Sequence, residues 1–158
     1  TLPLELLSQD VWRLFESAAR QRQLQVTWLC DANLQVYADS GLLRMVLNNL
    51  IDNAVNYTNQ GGQIWLEGHR NGDFVHFSIR NTGSDVAAID TTSIFERFWR
   101  GDAARSQTGR HCGLGLALCR RLIMLLGGTI TAQSTFQGEF VIAVMLPMAP
   151  LGYIPRGS

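Results

Sequence analysis

Four asparagines stand close together in the stretch LNNLIDNAVNY, residues 47 to 57: Asn48, Asn49, Asn53 and Asn56. Asparagine is a mediocre helix former because its amide competes for backbone hydrogen bonds, yet the surrounding apolar spacing is helical. At about 100° per residue, Asn49, Asn53 and Asn56 fall within about 60° of one another, with Asp52 beside them. Leu43, Leu47, Leu50, Ile51 and Ala54 take the opposite side. Solvated helix faces usually carry Glu, Lys, Gln and Arg. A stripe of carboxamides suits other chemistry: their oxygens can ligate a hard cation, and their NH2 groups can donate to phosphate oxygens. Mg²⁺ takes a few such oxygens together with waters and substrate phosphates.

A second chemical stretch is CGLGLAL, residues 112 to 118. Gly113 and Gly115 let backbone amides approach an anion, and the start of a helix adds unpaired N–H groups and a positive dipole end. Between the two, NTG at residues 81 to 83 closes a strand and opens a segment of about thirty residues with little regular pattern, a length usually functional or mobile in a compact domain. Residues 101 to 112, polar and Gly-containing, are expected to be mobile without a ligand.

The elements that must position these residues can be read from periodicity. Residues 5 to 23 read as one helix, with Leu7, Val11, Leu14, Phe15 and Ala18 at helical spacing and Ser8 as its N-cap. LQVTWLC alternates as a strand, LQVYAD is a short extended piece, and residues 40 to 58 form the second helix. GGQIWLEGHR and DFVHFSIRN form a hairpin through Asn71-Gly72. A third helix, GLGLALCRRLIMLL, ends at Gly127-Gly128. TITAQST and EFVIAVMLP form a second hairpin across Gln137-Gly138. The expected fold is an α+β two-layer sandwich, a mixed and largely antiparallel sheet of about five strands against three helices. One domain spans residues 1–149; residues 150–158 are a tail, partly foreign to the domain.

Composition bounds the function. The 158 residues are 46% hydrophobic and 16% charged, with a formal net charge of zero, which argues against a nucleic-acid partner. All thirteen basic residues are Arg, so any cationic contact to phosphate comes from guanidinium. Cys30, Cys112 and Cys119 form no CxxC pair and read as reduced thiols. The longest apolar runs are too short to span a bilayer, and no signal peptide opens the chain.

NNLIDNAVNY, NTG, FERFWRGD, GLGLAL and the following GG, in that order and spacing, resemble the N, G1, F and G2 boxes of bacterial sensor histidine kinases. The resemblance covers residues 2 to 147. It implies the catalytic ATP-binding domain with the Bergerat, or GHKL, fold; Asn at the G1 position is similar to the heavy-metal sensor kinases. By that resemblance Asn49 would ligate Mg²⁺, Asn53 the metal or the phosphates, and Tyr57 would lie near phosphates or ribose. Asn56 stands where the family often has Lys, so cationic help would come from Arg97, Arg100, Arg105 and Arg110, with Arg100 serving phosphotransfer. Phe95 and Phe98 would anchor the segment. Gly83, Gly113, Leu114, Gly115 and Leu116 would complete the nucleotide contacts.

The pattern also breaks. Asn81 replaces the Asp that accepts from the adenine amino group, losing charge assistance of about 1 kcal/mol. Asp85 takes the place of a glycine, and Arg110, His111 and Cys112 stand where small residues are usual. His69, His76 and His111 lack the context of a phosphoacceptor histidine. The resemblance therefore implies a domain that binds ATP and Mg²⁺ but cannot autophosphorylate alone. It would serve a dimerisation and histidine phosphotransfer domain of the same protein and a response regulator, in the cytoplasmic portion of an inner-membrane sensor; the fragment itself would be monomeric. Two alternatives remain. One is a GHKL ATPase, which uses a Glu in the N box where this chain has Asn49. The other is a degenerate domain that docks without using ATP.

Overall fold

The structure is a computed structural model and describes residues 1–83, 95, 114–135, 137–149 and 152. Its elements run β1 (Leu2–Pro3), α1 (Leu4–Trp12), α2 (Glu16–Gln21), β2 (Gln25–Cys30), β3 (Gln35–Val36), α3 (Ser40–Tyr57), β4 (Gln63–Asn71), β5 (Phe74–Asn81), α4 (Leu114–Leu125), β6 (Thr129–Ser134) and β7 (Phe140–Pro147). The main sheet has the order β2-β4-β5-β7-β6. Only the β2–β4 pair is parallel; the other three are antiparallel. This is the expected two-layer α+β sandwich with a mixed five-stranded sheet. A second sheet, of two strands, joins β1 to β3.

Strand alternation divides the sheet into two faces. Ile64 and Leu66 of β4, Val75, Phe77 and Ile79 of β5, and Ile142, Val144 and Leu146 of β7 are buried toward the helices. α3 meets them with Leu43, Val46, Leu47, Leu50, Ile51, Ala54 and Val55, all buried. The apolar stripe read from the sequence is thus the packed face. Each buried Leu, Ile, Val or Phe among them contributes about 1.5–3 kcal/mol by leaving water. α3 starts where the Asp39 carboxylate accepts from the Leu42 N–H at 2.9 Å, a side-chain N-cap.

Among the described residues there are four helices rather than three. The first expected helix is two pieces, because the chain tightens after Trp12: the N–H groups of Leu14 and Phe15 donate to Val11 and Trp12, three residues back. Trp12 and Phe15 can then both reach the core, whereas Leu14, expected inside, is 71% exposed. Ser8 is not a cap. It lies buried within α1, its hydroxyl donating to the Leu4 carbonyl at 2.8 Å. The helix begins four residues earlier, directly after Pro3, whose strand pairing with Gln35 fixes the entry of the chain.

Both hairpins form. Gly72 turns the first with φ +63° and Gly138 the second with φ +75°. Gly127, with φ +78°, ends α4, and a Cβ on Gly128 would lie 2.2 Å from the Met145 carbonyl oxygen. Only glycine at 128 lets α4 return this tightly onto the sheet. Phe95 packs against the core, as expected of an anchor. Burial pushes the Cys119 thiol up to about 12; burial, then Glu5, Asp31 and Glu67, push the Cys30 thiol up to about 11. Both are poor nucleophiles, in keeping with passive roles.

On the outer face, the Arg80 guanidinium lies 4.0 Å over the Trp65 ring and pairs with Glu67 at 3.1 Å and Glu139 at 3.2 Å. His69 and His76, directly opposite across β4 and β5, stack at 4.8 Å. Nδ1 of His76 is buried without a hydrogen-bond partner among the described residues. Burial, then the neighbouring His69, hold the His76 pKa below its ordinary value, against the opposing pull of Glu67. Below about pH 6.5 the unfolded chain therefore binds this proton more readily than the folded one, and stability falls as pH falls. Urea unfolding at pH 7.5 and 5.5 should show a larger loss for the wild-type protein than for His76→Gln. Equal losses would contradict this.

Candidate nucleotide site

The carboxamide stripe lies on the side of α3 away from the sheet, and each amide is differently committed. The Asn49 NH2 donates to the Met45 carbonyl at 2.9 Å, one turn back. Its oxygen is thereby turned away from that carbonyl, with no hydrogen-bond partner among the described residues. The Asn56 NH2 donates at 2.8 Å to both the backbone carbonyl and the carboxylate of Asp52, so its donors are engaged within the helix. Asn53 is half-buried and has no hydrogen bond to another described residue. Tyr57 ends the helix, 37% exposed.

The end of α3 is sealed by a residue that the sequence did not mark. The Arg22 guanidinium donates to the carbonyls of Val55 and Thr58, and the Thr58 hydroxyl donates to Ala54. Carbonyls left unpaired at a helix end are thus satisfied from the loop before β2. Nothing in the spacing of Arg22 points to this contact, which links residues 33 and 36 apart.

α4 runs back along α3 in the opposite direction: the Cys119 sulfur lies 3.9 Å from the Val46 carbonyl oxygen. Its first turn therefore arrives at Asn49. A Cβ built on Gly115 would stand 3.0 Å from Asn49 Oδ1 and 3.7 Å from Cγ. The free carboxamide oxygen and the N-terminal turn of α4 share one place, an oxygen ligand beside unpaired backbone N–H groups. Leu116 packs partly against the core, so its contribution to a ligand comes through its backbone. Leu114 opens the helix. Gly113, Arg97, Arg100, Arg105 and Arg110 lie outside the described residues, as do Asp85, Phe98, His111 and Cys112 and the mobility expected of residues 101 to 112.

Asn81 occupies the last position of β5 on the face toward the helices, 4% exposed. Its NH2 donates to the Thr82 carbonyl at 3.1 Å. Gly83 follows with φ +78°, the left-handed conformation that glycine adopts without strain. The sequence reading missed the two residues that hold this turn. The Thr82 hydroxyl donates to Asn59 Oδ1 at 2.7 Å and accepts from the Gln63 N–H at 3.0 Å. A Cβ on Gly83 would lie 2.6 Å from the same Asn59 oxygen. Asn59, in the turn after α3, was readable only as a loop residue.

The oxygens of Asn49 and Asn53 and the nearby Asp52 carboxylate are hard donors of the kind Mg²⁺ accepts, and they fit that ion. Among the described residues, no three His, Cys, Asp or Glu side chains cluster to hold a metal. A cation here would therefore depend on carboxamides.

A two-layer sandwich with a helix-borne carboxamide stripe facing a glycine-opened helix defines an ATP-binding domain of the Bergerat type. The model of the family described as histidine kinase-, DNA gyrase B- and HSP90-like ATPases matches residues 38–150, and the chain belongs to that family. It is 39% identical over 116 residues to the adaptive-response sensory kinase SasA of Nostoc, which covers 73% of this chain and 28% of SasA. It is 32% identical over 133 residues to the sensor histidine kinase CusS of Escherichia coli, covering 84% of this chain and 28% of CusS. The chain thus spans little more than a quarter of the length of these relatives. The catalytic domain of histidine kinase ThkA, solved without nucleotide, superposes with a TM-score of 0.83 at 27% identity over 96% of this chain and 97% of that one. ThkA in complex with the response regulator TrrA gives a TM-score of 0.80 at 25% identity, covering 96% and 42%. The chain is an ATPase-type domain of the histidine kinase class, with the fold expected; the heavy-metal subgroup is not singled out. Among the described residues no helix is long and apolar enough to cross a membrane.

Gly115→Ala separates the fold from the site. Alanine favours the helix by up to about 1 kcal/mol, so the melting temperature should hold or rise. The added methyl displaces the Asn49 oxygen, and affinity for a magnesium–nucleotide analogue should fall by about tenfold. Unchanged affinity with an unchanged melting temperature would separate Asn49 from the ligand.

Proposed function

We propose that this domain binds Mg–ATP between the carboxamide face of α3 and the first turn of α4, and passes the γ-phosphoryl group to a histidine on a dimerisation domain of the same protein. The observation that carries the reading is the closeness of Asn49 Oδ1 to Gly115. Asn49 and Asn53, with Asp52 nearby, would hold Mg²⁺, which would supply neutralisation of the charge that develops during transfer.

The chain's own groups have distinct tasks. Asn49 offers its oxygen to the cation, and Asn53 offers a second carboxamide to cation or phosphate. Gly113, Leu114, Gly115 and Leu116 present backbone N–H groups to the phosphates. Asn56 acts through Asp52, to which its amide is bound. Tyr57 borders the ribose and phosphates, Asn81 accepts from the adenine amino group, and Gly83 lets the chain pass close to the base. Arg100 stabilises charge on the transferred group, with Arg105 and Arg110 holding the polyphosphate tail. Catalysis of this type is mostly positioning and charge neutralisation, and needs no general base on this chain. The domain then works as the cytoplasmic, ATP-loaded part of a membrane sensor that feeds a response regulator. An ATP-hydrolysing role is less well supported, since position 49 carries no carboxylate and Asp52 is engaged by Asn56.

Calorimetry with Mg²⁺ and a non-hydrolysable ATP analogue tests the reading. The wild-type protein should bind one equivalent, with at least a tenfold loss on removing Mg²⁺ and a similar loss for Asn49→Ala. Binding that ignores both the cation and Asn49 would defeat it, and no binding at all would leave a docking module.

A further inference from the structure

A carboxylate at the end of β5 would present an acceptor whichever way it turned. A carboxamide does not: turned one way Asn81 offers an oxygen, turned the other an NH2. The substitution therefore removes a guarantee of sign as well as a charge. Adenine carries a donating amino group at its 6-position, whereas hypoxanthine and guanine carry an accepting oxygen there. The orientation of one amide decides which purine edge the site welcomes.

The structure contains a lock for that orientation. The Asn81 NH2 is committed to the Thr82 carbonyl at 3.1 Å, which leaves the oxygen as the group free to meet a ligand. Thr82 is itself held by three hydrogen bonds. Its N–H donates to the Gln63 carbonyl at 3.1 Å, its hydroxyl accepts from the Gln63 N–H at 3.0 Å, and the same hydroxyl donates to Asn59 Oδ1 at 2.7 Å. Asn59 is fixed in turn, its carbonyl accepting from the Gly62 N–H at 2.8 Å. Gly62 and Gly83 close on it from two sides: a Cβ on either would come within 2.3 Å and 2.6 Å of its side-chain oxygen. Thr82 is thus held from both sides, and among the described residues the Asn81 amide has no second hydrogen-bond partner.

We propose that Asn59 and Thr82 are specificity-setting positioning residues: by holding the Asn81 amide with its oxygen toward the base, they select a 6-aminopurine nucleotide over a 6-oxopurine one. This rests on the nucleotide reading of the site.

The test compares affinities for the magnesium complexes of a non-hydrolysable ATP analogue and its inosine counterpart. They are measured for the wild-type protein, Thr82→Val, Thr82→Ser and Asn59→Ala, with circular dichroism to confirm folding. The adenine preference should fall by about tenfold in Thr82→Val and Asn59→Ala and persist in Thr82→Ser, which keeps the hydroxyl. In an Asn81→Asp background, Thr82→Val should leave the preference unchanged, because a carboxylate has no wrong end. Without nucleotide, the Asn81 side-chain NH2 protons should exchange slowly in the wild-type protein and rapidly in Thr82→Val.

An adenine preference kept within about twofold in both disrupting variants overturns the inference while sparing the nucleotide site. An equal fall in the Asn81→Asp background does the same, since it marks mere loosening. A wild-type protein that binds neither nucleotide overturns the site reading and the inference together.

Discussion

The close approach of α4 to Asn49 shapes the site of this domain. Nothing projects from Gly115 toward the carboxamide oxygen, so that oxygen keeps its place beside the first turn of α4. That meeting in turn requires α4 to lie antiparallel on α3, with Cys119 buried against the Val46 turn. It also requires an abrupt return to the sheet at Gly127 and Gly128, where a methyl group would strike the backbone of β7. The core packing of α3 supports the same arrangement from below. Seven buried side chains pack the helix into the core, and the stripe opposite is left to present polar groups. Sequence, packing and site are linked through one helix with two faces.

The described part of the site carries little charge of its own. Asn81 and Asn56 are neutral where the resemblance leads one to expect charged residues, and the described part of the site contributes Asp52 alone as a carboxylate. Neutral groups recognise ligands by direction, and direction must be enforced. The enforcement is visible: Met45 orients Asn49, Asp52 orients Asn56, and Thr82 orients Asn81. A polar group held at one end by a neighbour is already oriented, and oriented groups lose little entropy when a ligand arrives.

Much of this was legible in the sequence, for a physical reason. Period-3.6 patterning of α3 and the asparagine stripe are local, as are the glycines that turn the hairpins and end α4. Each could be read from a few neighbouring residues, and the order of the boxes then implied the fold. What escaped depends on contacts distant in sequence. No glycine or proline marks the break between α1 and α2; it follows from Trp12 and Phe15 both seeking the core. Ser8 looked like a cap because the strand pairing of Pro3, which sets the true start of the helix, joins residues over thirty positions apart. Arg22 and Asn59 gain their roles only once α3, β4 and the end of β5 are assembled. The arginines expected to serve the phosphates lie outside the described residues, so that part of the reading rests on resemblance.

Paramagnetic line broadening addresses the convergence of the two helices most directly. With Mn²⁺ replacing Mg²⁺ beside a non-hydrolysable ATP analogue, the side-chain amide of Asn49 and the backbone amide of Gly115 should broaden together, at one equivalent of nucleotide, while Arg80 and His76 on the outer face stay sharp. Broadening of one without the other, or of neither, would mean that α3 and α4 do not hold a common metal–triphosphate.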